Sequence, residues 1–182
     1  MGYPQKGRCV CLLDPSGTPT KQGDVGTIAI HREDAGLMLE YLNAPNETAA
    51  RFQGDWFVTG DLGRADPSGA IHYEGRDDDM MNAGGFRVSP IEIEGVFQNA
   101  QGIIQCAAIE LALAPDTKVI ALCYTAQAPL KESTLQALAS RHLARYKQPR
   151  IYHHSDTLPT SANGKLLRRV LRSQIEAHYG QS

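Results

Sequence analysis

Apolar positions in the first part of this chain come in short runs broken by turn formers, and further on they recur at helical spacing. Arg8-Cys9-Val10-Cys11-Leu12-Leu13-Asp14 and Gly26-Thr27-Ile28-Ala29-Ile30-His31 are separated by Pro15-Ser16-Gly17-Thr18, whose residues favour tight turns. Such runs predict paired strands. Gly54-Asp55 leads into a strand over Trp56 to Thr59, and Asp66-Pro67-Ser68-Gly69 into another over Ala70 to Glu74. Short strands with Gly and Pro punctuation predict a small β-barrel-like or distorted sheet over residues 1–76.

After Arg76 the pattern changes. Asp77-Asp78-Asp79, then Met80-Met81-Asn82 and Gly84-Gly85, offer little to bury, which suggests a domain boundary over 77–79. Beyond it Ser89-Pro90 with Glu92 predicts an N-cap, a proline at the first helical position and a capping-box acid, and Ile93, Val96, Phe97 and Ala100 fall on one helical face. Runs over Ile103 to Leu113 and Lys118 to Thr125, joined by Ala114-Pro115-Asp116-Thr117, predict a hairpin. Leu135, Leu138, Ala139, His142 and Leu143 mark a second helix, and Leu167, Val170, Leu171 and Ile175 a third. Arg150 to His154 reads as a strand, on which His153 and His154 diverge and so do not form a paired ligand. The expected class is α+β, with residues 80–182 forming a few-stranded sheet with helices on its faces.

Composition narrows the field. With 182 residues, 42% hydrophobic and 21% charged, the chain is ordinary for a soluble globular protein. Its net charge of -2 gives no electrostatic reason to expect nucleic acid or an anionic membrane as partner. The apolar stretches Ile103 to Ala114 and Val119 to Ala126 are too short for a membrane span and are broken by Gln105, Glu110 and Pro115. Met1 to Lys6 lacks the apolar region of a signal peptide. Cys9, Cys11, Cys106 and Cys123 lack zinc spacing and stand in apolar runs, so buried free thiols in a reducing cytosol are expected, and no metal site.

The segment Leu158-Pro159-Thr160-Ser161-Ala162-Asn163-Gly164-Lys165-Leu166-Leu167-Arg168-Arg169 carries a cation on a Gly-containing loop ahead of an amphipathic helix. A charge about 4 Å from a phosphate oxygen is worth roughly 4 kcal/mol at an effective dielectric of 20. Such a lysine can decide phosphoryl chemistry. The loop is not a Walker loop, because Pro159 stands where the first Gly belongs and Leu166 where a Ser or Thr would hold Mg²⁺. Taken alone it also fits a simple exposed helix start.

Two upstream segments change that reading: Trp56-Phe57-Val58-Thr59-Gly60-Asp61, and Tyr73-Glu74-Gly75-Arg76 running on through Gly84-Gly85-Phe86-Arg87-Val88-Ser89-Pro90-Ile91-Glu92-Ile93-Glu94. With the Lys165 loop they resemble three successive core motifs of the adenylate-forming superfamily, the AMP-forming acyl-CoA synthetases and their relatives. The resemblance covers nearly the whole chain but only the back part of that architecture. It implies the last subdomain of a large AMP-binding domain over 1–76, a hinge at 77–79 and a mobile C-terminal domain over 80–182. The family's triphosphate loop, acyl pocket and most of its Mg²⁺ ligands belong to a large N-terminal domain upstream of these segments.

Carried over residue by residue, the resemblance implies that Asp61 holds the ribose of ATP or AMP. Arg76 and Tyr73 join the nucleotide set, Arg87 approaches the phosphates, Asp78 is the hinge pivot and Lys165 is catalytic. Gly84 and Gly85 would line the path of coenzyme A. The basic and aromatic run Arg145-Tyr146-Lys147-Gln148-Pro149-Arg150 would suit its nucleotide, with Tyr146, Lys147 and Arg150 as contacts. Asp61 and Arg76 also fit a turn-capping acid and a surface cation, Asp77 to Asp79 a solvated acidic turn, and Arg145 to Arg150 a basic helix end complementing its dipole. Two positions depart from the pattern: Asn82, where many relatives carry lysine, and Asn163, where Ser or Thr usually precedes Gly-Lys.

The implied reaction joins a small carboxylic acid to coenzyme A through an acyl-adenylate, in the cytoplasm. Other readings are a stand-alone module that binds a nucleotide or a partner without catalysis, and an adenylation domain serving a carrier protein. Which acid is activated is not legible, because the acyl pocket is not in these residues.

Overall fold

In the computed structural model the described residues are 2–114 and 117–179. They form two compact units that divide between Asp78 and Asp79.

The first unit is built on β1 (Val10–Leu13), β2 (Val25–His31), α1 (Pro45–Ala50), β3 (Phe52–Gln53), β4 (Trp56–Ala65) and β5 (Ile71–Arg76). The sheet runs β1-β2-β4-β3, and β5 also pairs with β4. All pairings are antiparallel. Leu12 lies opposite Ile28 in the register, and the two pack with Ile71 under Val10 and Ala65. Strand β4 does not stop at Thr59 as its composition suggests. Its pairing with β2 is interrupted between Thr27 and Ala29, where Thr59, Gly60 and Asp61 bulge out, and then resumes to Arg64. Gly60 takes φ 80, a left-handed conformation glycine adopts without a steric penalty, so the strand bends instead of ending. Helix α1 buries none of its residues, and that is why no apolar periodicity announces it.

The second unit opens with a hairpin, β6 (Met81–Ala83) and β7 (Phe86–Val88), closed by Gly84 and Gly85 at φ 58 and 86. Two successive positive φ values are what a two-residue I′ turn requires, which explains the glycine pair. Then come α2 (Pro90–Phe97), β8 (Gln105–Ala114), β9 (Thr117–Thr125), α3 (Glu132–His142), β10 (Ile151–His154) and α4 (Arg168–Tyr179). The sheet order is β10-β9-β8, with β8 antiparallel to β9 and β10 parallel to it. The parallel pair demands a crossover, which α3 supplies. Period-two alternation sorts the strands: Ala108, Ile120, Leu122 and Tyr124 face α2 and α3, while Ala107, Ile109, Ala121 and Cys123 face α4. Covered on both faces, β9 is buried without a break from Val119 to Thr125.

Several local expectations are corrected. Pro90 does begin α2, but Ser89 makes no side-chain cap bond, and Glu92 reaches Lys147 in place of the helix start. Ala100 lies past the end of α2, and His142 is exposed at the end of α3. The buried face of α4 centres on Leu171 and Ile175, leaving Leu167 and Val170 largely exposed. Asp77–Asp79 forms one 3₁₀ turn. The expected turn after Ala114 falls on Pro115 and Asp116, which lie outside the described residues. Of the four free cysteines only Cys123 is buried; Cys9 is exposed, and Cys11 and Cys106 are half-buried. Burial pushes the Cys106 and Cys123 thiols up to about 12, which leaves them unreactive near neutral pH. His153 meets the rings of His178 and Tyr179, whereas His154 meets Tyr124. No helix among the described residues is long and apolar enough to cross a membrane.

Candidate functional site

In the first unit the bulge on β4 organises the chemistry. Thr59 Oγ1 donates to the Ile28 carbonyl at 2.8 Å and accepts the Asp61 amide at 3.1 Å. That fixes the backbone on either side of Gly60. Asp61 then lies directly across from Arg76 of β5, with Arg76 Nη1 3.3 Å from its Oδ1. Arg76 Nε donates to Asp78 Oδ1 at 3.0 Å. This bond is the main cause of the raised Arg76 pKa, against opposing desolvation and with smaller contributions from Asp78, Asp61 and Tyr73 charge. The Asp61 side chain stays 35% exposed, so it retains acceptor capacity for hydroxyl groups.

The bulge yields a stability prediction. A Cβ at Gly60 would lie 2.9 Å from Arg76 Nη2 as well as in left-handed backbone, whereas one at Gly54, φ 60, would meet nothing within 4 Å. Gly60→Ala should destabilise the chain by about 1–3 kcal/mol and Gly54→Ala by roughly 1 kcal/mol. Urea unfolding of both variants checks this, and equal losses would show that Arg76 yields freely.

In the second unit the Gly84-Gly85 turn, Asn82, Ile120, Arg145, Tyr146, Gln148 and Arg150 surround one cleft of about 610 Å³. Phe86 stacks on Tyr146 with ring centroids 4.6 Å apart. The Asn82 amide donates to Glu110 at 2.6 Å, and Lys118 pairs with that same carboxylate at 2.8 Å. These contacts tie the hairpin to the sheet. Arg145 and Arg150 make no ion pair among the described residues and line the cleft, an arrangement suited to phosphate groups.

Lys147 is placed differently from its neighbours in sequence. Its ammonium bonds both Glu92 oxygens, at 2.6 and 2.8 Å, and lies 5.6 Å over the Tyr146 ring. The Glu92 hydrogen bond raises its pKa. That charge is committed within the fold, and Lys147 does not line the cleft.

Lys165 stands on a tight loop. A β-bridge joins Thr160 to Leu166, the Ser161 amide donates to the Lys165 carbonyl at 2.8 Å, and the Gly164 amide donates to the Ser161 carbonyl at 2.9 Å. Gly164 at φ 74 permits the reversal. The Lys165 amide donates to Ser161 Oγ at 3.2 Å. Its ammonium is exposed and has no partner among the described residues. Arg87 is exposed on β7 across from Asn82. Within each unit, the structure brings Asp61, Arg76 and Asp78 together in the first, with Tyr73 near Arg76, and Gly84, Gly85, Tyr146 and Arg150 in the second. Lys165 and Arg87 do not line that cleft.

Sequence reasoning passed over Phe86, whose stacking partner lies far along the chain, and the pair Glu94 and Arg168. Among the described residues no group of three or more His, Cys, Asp or Glu side chains is placed to hold a metal ion.

No family model matches the chain. It is 30% identical over 184 residues to an uncharacterised acyl–CoA ligase of Bacillus subtilis, covering 97% of this chain and 34% of that protein. It is 34% identical over 166 residues to a long-chain-fatty-acid–CoA ligase of Mycobacterium tuberculosis, covering 86% and 32%. In structure it is similar to ATP-bound MatB from Rhodopseudomonas palustris, with a TM-score of 0.88, 28% identity, and coverage of 97% of this chain and 36% of that one. The chain spans about a third of the length of these relatives.

Proposed function

We propose that this chain, a homologue of the C-terminal third of AMP-forming acid–CoA ligases, supplies the mobile catalytic lysine and the thiol path of such an enzyme. The exposed ammonium of Lys165, without a partner among the described residues and held on a loop whose backbone is closed by its own hydrogen bonds, is the observation that carries this reading. A carboxylate oxygen of the substrate attacks the α-phosphorus of ATP, pyrophosphate leaves, and an acyl-adenylate forms. Lys165 stabilises the negative charge that builds on the α-phosphate and carboxylate oxygens. The thiolate of coenzyme A then attacks the acyl carbonyl, and AMP leaves with the bonding electrons.

Asp61 and Arg76 serve the ribose and phosphate side of the nucleotide, together with Tyr73 and Arg87. Gly84 and Gly85 let the thin arm of coenzyme A pass close to backbone, and Arg145, Tyr146 and Arg150 meet its phosphorylated nucleotide. Asp78, at the division between the units, is the pivot that exchanges one half-reaction for the other. Mg²⁺ neutralises charge on the ATP phosphates and is bound mainly by the upstream domain. We place the enzyme in the cytoplasm, where its free thiols stay reduced.

Alone, the 182-residue chain should give no ATP–pyrophosphate exchange with any carboxylic acid, because the acyl pocket and half the nucleotide site belong to the upstream domain. Joined to the upstream two-thirds of the mycobacterial long-chain ligase, it should restore exchange. A folded, inactive fusion, when the relative's own C-terminal third is active in the same format, would sink the proposal.

A further inference from the structure

Behind the Lys165 loop lies a pair of charges that the proposed chemistry does not use. Glu94 on α2 and Arg168, the first residue of α4, have side chains only 16% and 15% exposed. Arg168 Nη2 donates to both Glu94 oxygens at 2.8 Å, and the Ala108 amide of β8 donates to Oε1 at 2.8 Å. Burial pushes the Glu94 carboxyl upward, and the Arg168 charge leads the forces opposing it. A donor of the same guanidinium is left over: among the described residues Arg168 Nε is buried without a hydrogen-bond acceptor, and Asp79 Oδ2 stands 3.8 Å away. Asp79 is the residue at which the second unit begins.

Leu158 and Leu166 pack the two ends of the loop into the core shared by β8, β9 and α4. A cleft of about 240 Å³, bounded by Glu94, Cys106, Thr160, Gly164 and Leu166, lies against the loop. Its closing contacts are the Thr160–Leu166 bridge and the Leu167 amide on the Pro159 carbonyl at 2.9 Å. These join the loop to itself. The side chain that joins it to α2 belongs to Arg168, two residues past Leu166.

We infer that Arg168 is a positioning residue for Lys165: its guanidinium ties the end of the lysine loop to Glu94 through Nη2 and turns Nε toward Asp79 at the unit boundary, so that the reach of Lys165 is set from both. The anchoring rests on the geometry alone, and its catalytic consequence rests on the ligase reading. Lysine in place of Arg168 would offer a single point charge where the flat guanidinium spans two partners.

Amide hydrogen exchange on the 182-residue chain tests the anchoring without any activity. In Arg168→Met the amides of Ser161, Gly164, Lys165 and Leu167 should exchange about tenfold faster, while those of β8 and β9 stay within about twofold. Arg168→Lys should fall between. No change in the loop, or uniform acceleration through β8 and β9, overturns the inference. Asp79→Asn leaves the Glu94 pair whole and should fold even if Arg168→Met does not. It should quicken the same loop amides by about threefold, and no change there overturns the link to the boundary. In the fused ligase, Arg168→Met should lower kcat for adenylation by about tenfold with KM for ATP within about twofold. Added to Lys165→Ala it should cost nothing further, and an additive loss overturns the positioning role. A wild-type fusion without activity bears on the ligase reading alone, and the exchange result still decides the anchoring.

Discussion

In the fused ligase, Lys165→Ala should lower the rate of acyl-adenylate formation by about three orders of magnitude and leave thioester formation from a supplied acyl-adenylate within about threefold. The size is that of removing one full charge from contact with the α-phosphate, the role proposed for Lys165. The selectivity follows from where the lysine stands. Its loop is closed by backbone bonds among Ser161, Gly164 and Lys165 that do not involve the side chain, so alanine removes the charge and leaves the loop in place. The cleft formed by Gly84, Gly85, Tyr146 and Arg150 does not include Lys165, so the residues proposed for the thiol step stay in place. Pyrophosphate exchange and stopped-flow release of AMP, measured on one preparation, separate the two steps. Equal losses in both would count against a lysine that serves one half-reaction only.

Phe97→Ala has the largest expected effect on stability. The ring is fully buried at the end of α2, among Ile93, Leu122, Leu135 and Ala139, and lies edge-on to Tyr152 with centroids 6.2 Å apart. Removing it takes away a large apolar side chain and leaves a cavity that three elements must close, a loss of about 3–5 kcal/mol. That is a large share of the roughly 5–15 kcal/mol by which domains are stable. The protein's single tryptophan, Trp56, stands on β4 of the first unit. Far-UV circular dichroism therefore follows helix loss in the second unit, while tryptophan fluorescence reports the first. A drop below about 1 kcal/mol in the circular dichroism transition would mean the core collapses around the deletion.

Much of the architecture is legible in local chemistry. Glycines at 84 and 85 specify a tight reversal, Pro90 marks a helix start, and the unbroken apolar run ending at Thr125 marks a strand buried on both faces. Where the reading failed, distant contacts had outweighed local preference. Ser89 and Glu92 have the letters of a capping box, but Lys147 takes the Glu92 carboxylate across 55 positions. Thr59-Gly60-Asp61 has the letters of a corner, but pairing with β2 and β5 on both sides carries the strand through it. Leu167 and Val170 have the spacing of a buried face, but α4 buries Leu171 and Ile175 and leaves those two exposed.

The sequence by itself determined the α+β class, most strands and helices and the exposed lysine loop, because each depends on neighbours within a few positions. Only the tertiary structure decided which charges remain available. Lys147 is neutralised by Glu92, Arg145 and Arg150 are left to line a cleft, and Arg168 is drawn 74 positions back to Glu94. The physical reason is that ion pairing in a folded chain depends on distance in space and on burial. Neither is written in the spacing of residues along it.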